Sequence, residues 1–408
     1  MTALLDRPVD TTAWTVGEPR LLAGLADHLR LDLATHRAVH GDLPPAERLV
    51  GYLDAAPIAG RGGAGFPLAA KLRSLPGRAK QIVVNGTESE PASRKDRTLL
   101  LRTPHLVLDG AIATAAVTGA REVIVAVHDE TVAASVRSAV IERPDARAVR
   151  VRVIPGGFVA GEARAVVRAL QGGPALPPGR RTPPTAAGVL VSNAETFAQA
   201  AILLRRGPHR FADTGTRAEP GTTLLTVGGA VARPGVVEIP LGTPLGIVLS
   251  AAGAPAGPEA VILGGYHGSW VTPRPELRLS REGTAAAGAA FGAGVLLVLD
   301  GASCALGELA RVAGWLAGES ARQCGPCRFG LPALAADVAA LAAGQWRVGA
   351  ALGHARLVTG RGACAHPDGA ARFVTSGLHL LQDEAQHHFT DGGCGRPVLA
   401  QLPIGNQR

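Results

Sequence analysis

Two short stretches of the sequence combine residue types that can bind a cofactor and a metal. The first is glycine-rich, Gly60-Arg61-Gly62-Gly63-Ala64-Gly65-Phe66-Pro67, and the second is Cys324-Gly325-Pro326-Cys327, followed far downstream by Cys364. Glycines tolerate positive φ and let backbone N–H groups approach a phosphate closely. Cysteines at this spacing suit iron–sulfur or zinc binding. We therefore predict a phosphorylated cofactor and a metal centre.

The glycine-rich stretch contains G-x-G-x-x-G, which alone is a weak signal because it also occurs in Rossmann folds and in plain turns. A Rossmann fingerprint needs a strand directly before the first glycine, whereas residues 47–56 have a helical pattern. Nearby Lys71 is one of three lysines in a chain whose other cationic residues are arginine. Because a compact ammonium suits a phosphate, we favour a phosphate-binding loop outside a Rossmann fold.

A second polar segment, Asn85 to Pro91, directly follows a predicted buried strand and precedes Lys95-Asp96-Arg97. In α/β folds, ligands bind at the carboxyl ends of such strands. Amide and hydroxyl groups in this segment can bond ring heteroatoms and hydroxyls of a cofactor, and its two glutamates can accept from ribose or amide groups. The alternative is a solvated, charged turn.

The cysteines allow several interpretations. Cys324 and Cys327 could form a redox dithiol, three thiolates with His366 could hold structural zinc, or the thiols could be unrelated buried groups. Cys304 and Cys394 stand alone in the sequence and are predicted to be core residues. The chain has an odd number of cysteines, five in 408 residues, so we do not expect a framework of disulfide bonds.

Composition narrows the function classes. The 408 residues are 47% hydrophobic, which predicts about two to four packed domains. The net charge of +8 comes from dispersed arginines without interleaved aromatics, so we expect no nucleic-acid binding. The longest apolar run, 285–299, is too short and glycine-rich to span a bilayer, and no signal-peptide core opens the chain. We expect a cytoplasmic protein, or one bound peripherally to the inner face of the cell membrane.

Hydrophobic periodicity predicts an α/β fold followed by two smaller units. The expected domains are a helical N-terminal segment with leucine spacing at 1–45, an α/β domain at 46–215, a β-grasp-like module at 216–300 and a helical domain at 301–408. Expected strands are 81–85, 122–127 and 149–154, and expected helices are 104–119, 160–170, 306–317, 330–343 and 370–388.

Together these motifs resemble the flavoprotein subunit of respiratory complex I, a family shared with diaphorase subunits of bidirectional hydrogenases and formate dehydrogenases. The resemblance covers nearly the whole chain in order, and further includes residues 158–162, 192–196, a soluble-ligand-binding β-grasp (SLBB) module near Pro234-Gly235, and 319–328. It implies an NADH dehydrogenase subunit with FMN, NADH as hydride donor and a 4Fe–4S cluster as first one-electron acceptor.

The resemblance also implies a set of site residues and partners. Glu88 and Glu90 are expected to be catalytic, and Cys324, Cys327 and Cys364 to bind the cluster. A thioredoxin-like 2Fe–2S subunit, or another redox subunit, is the expected partner. The expected cofactor-binding residues are Gly60, Arg61, Gly62, Gly63, Gly65, Phe66, Lys71, Asn85, Thr87, Glu88, Ser89, Glu90, Gly161, Glu162, Ser192 and Asn193.

Three positions depart from the family pattern. Ala321 stands where the family has the first cluster cysteine, Ala163 where it has a second glutamate, and Thr185 where it offers an aromatic to adenine. With three thiolates, the site could hold 4Fe–4S with a non-cysteine fourth ligand, 3Fe–4S or no cluster. The departures also keep two alternative functions open. One is an electron-transfer or scaffold subunit that retains FMN but uses another donor, such as a ferredoxin, and the other is a zinc-stabilised binding module.

Overall fold

The chain alternates strands and helices in its first half and becomes almost entirely helical towards its end. The computed structural model describes residues 12–179 and 182–405. The strands are β1 (Ala13–Thr15), β2 (Gln81–Asn85), β3 (Glu122–Val127), β4 (Val149–Val153), β5 (Val189–Asn193), β6 (Thr222–Gly229), β7 (Gly235–Pro240), β8 (Thr243–Pro244), β9 (Ala260–Leu263), β10 (Ser269–Val271), β11 (Arg278–Leu279) and β12 (Val295–Leu299). The helices are α1 (Leu33–His40), α2 (Leu49–Ala55), α3 (Leu68–Arg73), α4 (Lys95–Arg102), α5 (Pro104–Thr118), α6 (Glu130–Ile141), α7 (Ala163–Leu170), α8 (Ala194–Ala212), α9 (Leu245–Ala251), α10 (Arg281–Ala286), α11 (Ala305–Gly318), α12 (Leu331–Ala342), α13 (Val348–Val358), α14 (His366–Leu380) and α15 (Gln382–Asp391).

A four-stranded parallel sheet, in the order β4-β3-β2-β5, forms the centre of the first domain. Its strands are rich in valine and isoleucine, as expected of strands that are covered on both faces, and Ile82, Val83 and Val84 are fully buried. Asn85 pairs in register with Asn193, so the last residues of β2 and β5 lie side by side. The sheet therefore presents two adjacent amides at its carboxyl edge, where α/β folds bind ligands.

A six-stranded mixed sheet, in the order β1-β7-β6-β12-β9-β10, forms the second layer, and the predicted β6–β7 hairpin is confirmed. β1 joins this sheet from the N-terminal segment by pairing in parallel with β7. The predicted leucine-spaced helix is wrong for Leu21, Leu25 and Leu29, which lie in turns, and only α1 is helical there. The physical reason is Glu238, whose carboxylate accepts the N–H groups of residues 20–22 at 2.9–3.0 Å and replaces helical bonds.

The C-terminal part is a bundle of α11 to α15, which confirms the predicted helical region. α13 was not predicted, because Gly349 and Gly353 weaken its helical signal. The chain then folds back on the bundle, where Leu402 is fully buried and Tyr266 donates from its hydroxyl to the Pro403 carbonyl at 2.6 Å. The predicted fold class is confirmed, whereas the exact domain boundaries stay a prediction. Within the described residues, no helix has both the length and the apolarity that a membrane span requires.

Candidate functional site

The glycine-rich loop joins two helices, α2 and α3, rather than a strand and a helix. The Rossmann alternative is therefore wrong. The loop closes on itself because Gly60 N–H donates to the Phe66 carbonyl at 3.1 Å. Gly63 and Gly65 have φ of 102° and 69°, a region that favours glycine. Phe66, the residue after the last glycine of the loop, is 52% exposed and is therefore accessible to a ligand.

The loop packs over the carboxyl end of β5. A Cβ atom on Gly62 would lie 3.4 Å from the Asn193 Cβ, so the loop backbone comes close to the strand end. Lys71 reaches the same place from α3, and its Nζ donates to the Val191 carbonyl at 2.9 Å and lies 3.4 Å from Ser192 Oγ. Burial lowers the pKa of Lys71 to about 8. An anion placed here would stabilise the charged form of Lys71 and raise this pKa again.

The second polar segment meets Gly161 beside this edge. Asn85 Nδ2 donates to the Gly161 carbonyl at 2.8 Å, and Asn85 Oδ1 accepts from Thr87 Oγ1 at 2.7 Å. A side chain on Gly161 would collide with Ser89 Oγ. The structure thus brings four of the predicted binding residues into one narrow cleft, lined by backbone that only glycine permits.

Glu88 has a structural role that the sequence analysis missed. Its Oε1 accepts from Ser93 Oγ at 2.7 Å and from Asp96 N at 2.9 Å, and its Oε2 accepts from Arg97 N at 2.8 Å. The carboxylate therefore caps the N-terminus of α4, where the exposed N–H groups and the helix dipole favour an anion. The structure therefore shows a capping role for Glu88, and its expected catalytic and cofactor-binding roles stay a prediction.

Glu90 is buried against the second sheet rather than in open solvent. Its Oε2 accepts from Tyr266 N at 2.9 Å. Burial raises the pKa of Glu90 to about 7, although the N–H groups of Tyr266 and Ala92 oppose the rise. Within residues 12–179 and 182–405, its Oε1 has no hydrogen-bond partner. A carboxyl that titrates near neutrality is suited to proton exchange, and its catalytic role stays a prediction.

A buried network of ion pairs and hydrogen bonds lies next to the glycine-rich loop. Lys95 Nζ lies 2.8 Å from Asp96 Oδ1, 3.1 Å from Glu195 Oε2 and 3.0 Å from Asn193 Oδ1. Burial opposes the charge on Lys95, but the two carboxylates outweigh burial and raise its pKa. The Asn193 Nδ2 also donates to Asp96 Oδ2 at 2.6 Å. Both polar atoms of the Asn193 side chain are therefore hydrogen-bonded within this network.

The Arg61 side chain belongs to this network and not to the cleft, which corrects its expected role as a cofactor ligand. The guanidinium is buried, lies 3.7 Å from Glu195 Oε1 and donates to the Thr222 carbonyl at 3.2 Å. Its backbone N donates to Thr196 Oγ1 at 3.0 Å. Two cations, Arg61 and Lys95, thus balance Asp96 and Glu195, as buried charges require.

Arg281 is a site residue that sequence reasoning missed. From the start of α10 its Nη2 donates to the Gly60 carbonyl at 2.8 Å, and its Nη1 donates to the Gly63 carbonyl at 3.3 Å. Glu219 Oε1 lies 3.5 Å from its Nε. The residue stands 221 positions from Gly60, outside any motif, so no local signal could have found it.

A cavity of about 860 Å³ extends from this cleft towards the helical bundle. It is bounded on one side by residues 86–89 and on the other by α11 and the residue that follows it. Trp315 and Glu319 form the α11 side, and Gly156, Gly157 and Phe158 connect the two sides.

The three predicted cluster cysteines lie together at the C-terminal end of α11. Burial, followed by the neighbouring thiols of Cys324 and Cys364, raises the pKa of Cys327 to about 12. A cavity of about 530 Å³ adjoins Cys327 and is lined by Ala317, Gly318 and Arg322, among others. The structure therefore provides both the thiols and the adjacent space that a metal centre needs.

His366 cannot complete this centre, which corrects the zinc alternative that included it. Its Nε2 donates to the Leu316 carbonyl at 2.8 Å, and its Nδ1 is 2.9 Å from His267 Nε2. A histidine ligand must direct a lone pair at the metal. Both ring nitrogens of His366 are engaged elsewhere, so a zinc site would lack its fourth ligand here.

Cys304 and Cys394 stand apart in the sequence but lie close together in the fold, and Cys304 is buried in the bundle core as predicted. Their thiols interact with each other at the N-terminal end of α11. The two thiols meet because the chain after α15 folds back on α11, which sequence spacing does not reveal.

Glu162 connects the cleft to the cluster cysteines. It directly follows Gly161. Burial raises the pKa of Cys364, and the negative charge of Glu162 raises it further. Its Oε1 accepts from Arg164 Nε at 2.8 Å. Nearby, the ring of Phe158 lies 5.6 Å from that of His366. The segment 158–162 therefore lies beside both candidate sites.

Two known protein families match the chain, and together the matches span more than half of it. The family described as the Nuo51 FMN-binding domain matches residues 53–201. The NADH-ubiquinone oxidoreductase-F iron-sulfur binding region matches residues 307–388. The first range contains the glycine-rich loop and the cleft, and the second contains the three clustered cysteines.

Individual proteins are similar over most of their length. The F subunit of the NADH-quinone oxidoreductase of Streptomyces coelicolor is 29% identical over 85% of this chain and 84% of its own. The F 2 subunit of the same enzyme from Rhizobium meliloti is 29% identical over 88% of this chain and 92% of its own. A crystal structure of an NAD+-reducing [NiFe]-hydrogenase in the H2-reduced state superposes with a TM-score of 0.80 at 25% identity, over 95% of this chain and 69% of that one.

Proposed function

Because the chain belongs to the family of flavoproteins found in respiratory complex I and related diaphorases, we propose that it oxidises NADH and passes the electrons through FMN to an iron–sulfur cluster. FMN, when bound, accepts two electrons as a hydride and gives them up one at a time. The residues of this chain bind and orient the participants and shield them from water.

The cleft has hydrogen-bonding groups suited to the phosphate, the ribityl chain and the ring of FMN. The loop backbone at residues 60–65, the Lys71 ammonium and Ser192 provide donors for a phosphate at one end. Asn85, Thr87 and Ser89 provide hydrogen-bonding groups for a ribityl chain and a ring at the other. Gly62 and Gly161 keep the cleft open, since a side chain on Gly161 would collide with Ser89.

The nicotinamide nucleotide is proposed to bind beside the flavin, next to Phe66, Glu90 and Glu162. Phe66 is exposed and can contact a planar ring. Glu90 and Glu162 each have one buried oxygen without a hydrogen-bond partner in the described part of the chain. Such oxygens are available to accept from amide or hydroxyl groups of a ligand.

Cys324, Cys327 and Cys364 fit a cluster, with Ala321 in the place of a fourth thiolate. Cysteine thiolates are the ordinary ligands of Fe–S clusters. We propose that the three thiolates hold the 4Fe–4S cluster and that its fourth iron has a ligand other than cysteine.

One observation carries the proposal: the segment 158–162 lies beside both sites at once. Its Gly161 carbonyl accepts from Asn85 Nδ2 in the cleft. Its Phe158 N donates to Glu319 Oε2 at 3.0 Å, and the Phe158 ring lies 5.6 Å from that of His366, two residues after Cys364. A flavin and a cluster bound in these places would be neighbours, as electron transfer between them requires.

The experiment compares the wild type with Gly161→Val and Gly51→Ala, all purified anaerobically. Gly161→Val fills the cleft and is expected to lose FMN and NADH–ferricyanide activity while it keeps its iron. Gly51, in α2, has no atom within 4 Å of an added Cβ, so Gly51→Ala is expected to behave like the wild type. Wild-type protein that binds no FMN, or full FMN and activity in Gly161→Val, would contradict the proposal.

A second candidate function, transfer of electrons from a donor other than NADH, is favoured by Thr185. This residue is buried in a short 3₁₀ turn, Pro184–Ala187, and so does not offer a surface for stacking an adenine. If FMN binds fully but is reduced by a ferredoxin and not by NADH, this function replaces the first.

The partner and cellular location are proposed on the same basis. The relatives are named as parts of larger oxidoreductases, and we propose that this chain likewise passes electrons to a separate redox subunit, such as a thioredoxin-like 2Fe–2S protein. We place the assembly in the cytoplasm or at the inner face of the cell membrane. Co-purification with a tagged chain tests the partner.

A further inference from the structure

A second cluster of metal-binding side chains lies at the end of α11 that faces away from the proposed iron–sulfur site. It consists of Cys304, Glu384, His388 and Cys394, whose ligand atoms all lie within 4.8 Å of one another. α11 is 14 residues long and therefore separates the two sites by about 20 Å. Cys304 and Cys394 also lie outside both family-matched regions.

We propose that these four side chains form a structural zinc site. Neighbouring ligands of tetrahedral zinc lie about 3.5 Å apart, given bonds of about 2.0–2.3 Å. In the structure, His388 Nε2 lies 3.4 Å from Cys304 Sγ and 3.8 Å from Glu384 Oε1. Thiolate, imidazole and carboxylate are the ligand types that zinc prefers.

The groups around the four ligands orient them for a metal. His388 Nδ1 donates to the Ala342 carbonyl at 2.7 Å, which fixes the proton on Nδ1 and leaves the Nε2 lone pair directed at Cys304. Arg396 lies 3.0 Å from Glu384 Oε2 and leaves Oε1 on the side of the cluster. Zn²⁺ would offset the two thiolates, and Arg396 lies between the carboxylates of Glu384 and Glu259.

The ligands come from three separate parts of the chain. Cys304 precedes α11, Glu384 and His388 lie one turn apart on α15, and Cys394 begins the C-terminal segment. Zinc would therefore join this segment to the bundle. The segment then returns along α11, where Gln401 N donates to Glu308 Oε1 at 2.9 Å.

The test measures zinc and iron in full-length protein purified anaerobically, for the wild type, His388→Gln and the matched control His387→Gln. His387 is adjacent but exposed. We expect about one zinc per chain in the wild type and the control, and at least a tenfold loss in His388→Gln with FMN content unchanged. Cys327→Ser is expected to lose iron and keep zinc, which separates this site from the electron-transfer centre.

Two results would overturn the proposal. One is equal zinc in the wild type and His388→Gln, and the other is wild-type protein without zinc, whether its Cys304 and Cys394 are thiols or a disulfide. If His388→Gln fails to fold, the test is instead made by exchanging Co²⁺ into the wild type and measuring its visible absorption. Thiolate-to-cobalt absorption that Cys394→Ser abolishes supports the site, and its absence from the wild type refutes it. Chelation of the wild type should also speed hydrogen exchange at residues 396–404.

Discussion

Individual residues at the candidate site divide into those that face the cleft and those that hold it in place. Lys71, Asn85 and Ser89 lie at the cleft, whereas Glu88 caps α4 and Arg61 joins a buried ion-pair network. All five belong to the same motifs in the sequence. Their different roles follow from which way the side chains point, and this is visible only in the fold.

Lys71 should make FMN binding depend on pH. Burial holds the pKa of the unliganded residue near 8, so FMN must bind together with a proton above that pH. We expect the FMN dissociation constant to rise about tenfold per pH unit above pH 8. Lys71→Arg, which stays charged, should bind FMN with a flat profile, and exposed Lys80→Arg should follow the wild type. Fluorescence titration between pH 7 and 9.5 measures this, and a flat wild-type profile would refute it.

Glu90 should make the folded state less stable as pH rises. Its folded pKa of about 7 exceeds its ordinary value of 4.5, so the folded state retains a proton that the unfolded chain releases. The stabilising contribution is fully present below pH 4.5 and is lost as pH rises through 7, at about 1.4 kcal/mol per unit. Glu90→Gln should therefore be about 3–4 kcal/mol more stable than the wild type at pH 8, and the gain should vanish near pH 4.5.

Urea unfolding across this pH range checks the Glu90 prediction. The exposed residue Glu276 provides the control, since Glu276→Gln should leave the pH dependence unchanged. Parallel pH profiles for the wild type and Glu90→Gln would show that Glu90 is ionised in the folded protein at pH 5–7.

At the scale of elements, the site lies where the two sheets meet. The parallel sheet supplies Asn85 and Asn193 at its carboxyl edge. The mixed sheet supplies the turn that binds Glu90 through Tyr266, and α10 supplies Arg281. The cleft is therefore formed by elements of both sheets together with α10.

Arg281 provides the test of this shared construction. Arg281→Ala removes the two hydrogen bonds to the loop carbonyls, and charged hydrogen bonds of this kind contribute about 1–3 kcal/mol. We expect FMN affinity to fall about tenfold or more while the thermal unfolding of the chain changes little. Exposed Arg278→Ala is the matched control. Equal FMN affinity in the two variants would show that the loop holds its shape without the second domain.

Strand and helix predictions succeeded where local pattern governs structure. The apolar runs at β2 and β3 and the proline at the start of α5 are local signals, and each element formed as predicted. The turns around Leu21 differ because Glu238, more than two hundred positions away, binds their N–H groups. Likewise, the cleft residues were found from motifs, whereas Arg281 and the pairing of Cys304 with Cys394 depend on long-range packing.

At the scale of the whole molecule, the C-terminal segment binds the bundle to the second sheet. Leu402 is fully buried between them, Arg311 binds its carbonyl, and Tyr266 of the mixed-sheet domain donates to Pro403. The segment thus stabilises the arrangement that keeps the cluster cysteines near the flavin cleft.

Leu402→Ala tests this role. Truncating a fully buried leucine is expected to cost about 2–5 kcal/mol, and the loss should appear as a lower unfolding midpoint and earlier release of iron. Leu399 is 51% exposed, and Leu399→Ala should change stability by less than about 0.5 kcal/mol. Similar midpoints for the two variants would show that the segment is not part of the core.

The most direct test of the whole account is an anaerobic titration of the purified protein with NADH, followed by visible absorbance and electron paramagnetic resonance together. The account predicts that NADH bleaches the flavin and that a reduced iron–sulfur signal grows with it. Gly161→Val should show neither change although it contains iron. A flavin that stays oxidised with excess NADH, or a cluster that NADH reduces equally well in Gly161→Val, would contradict it.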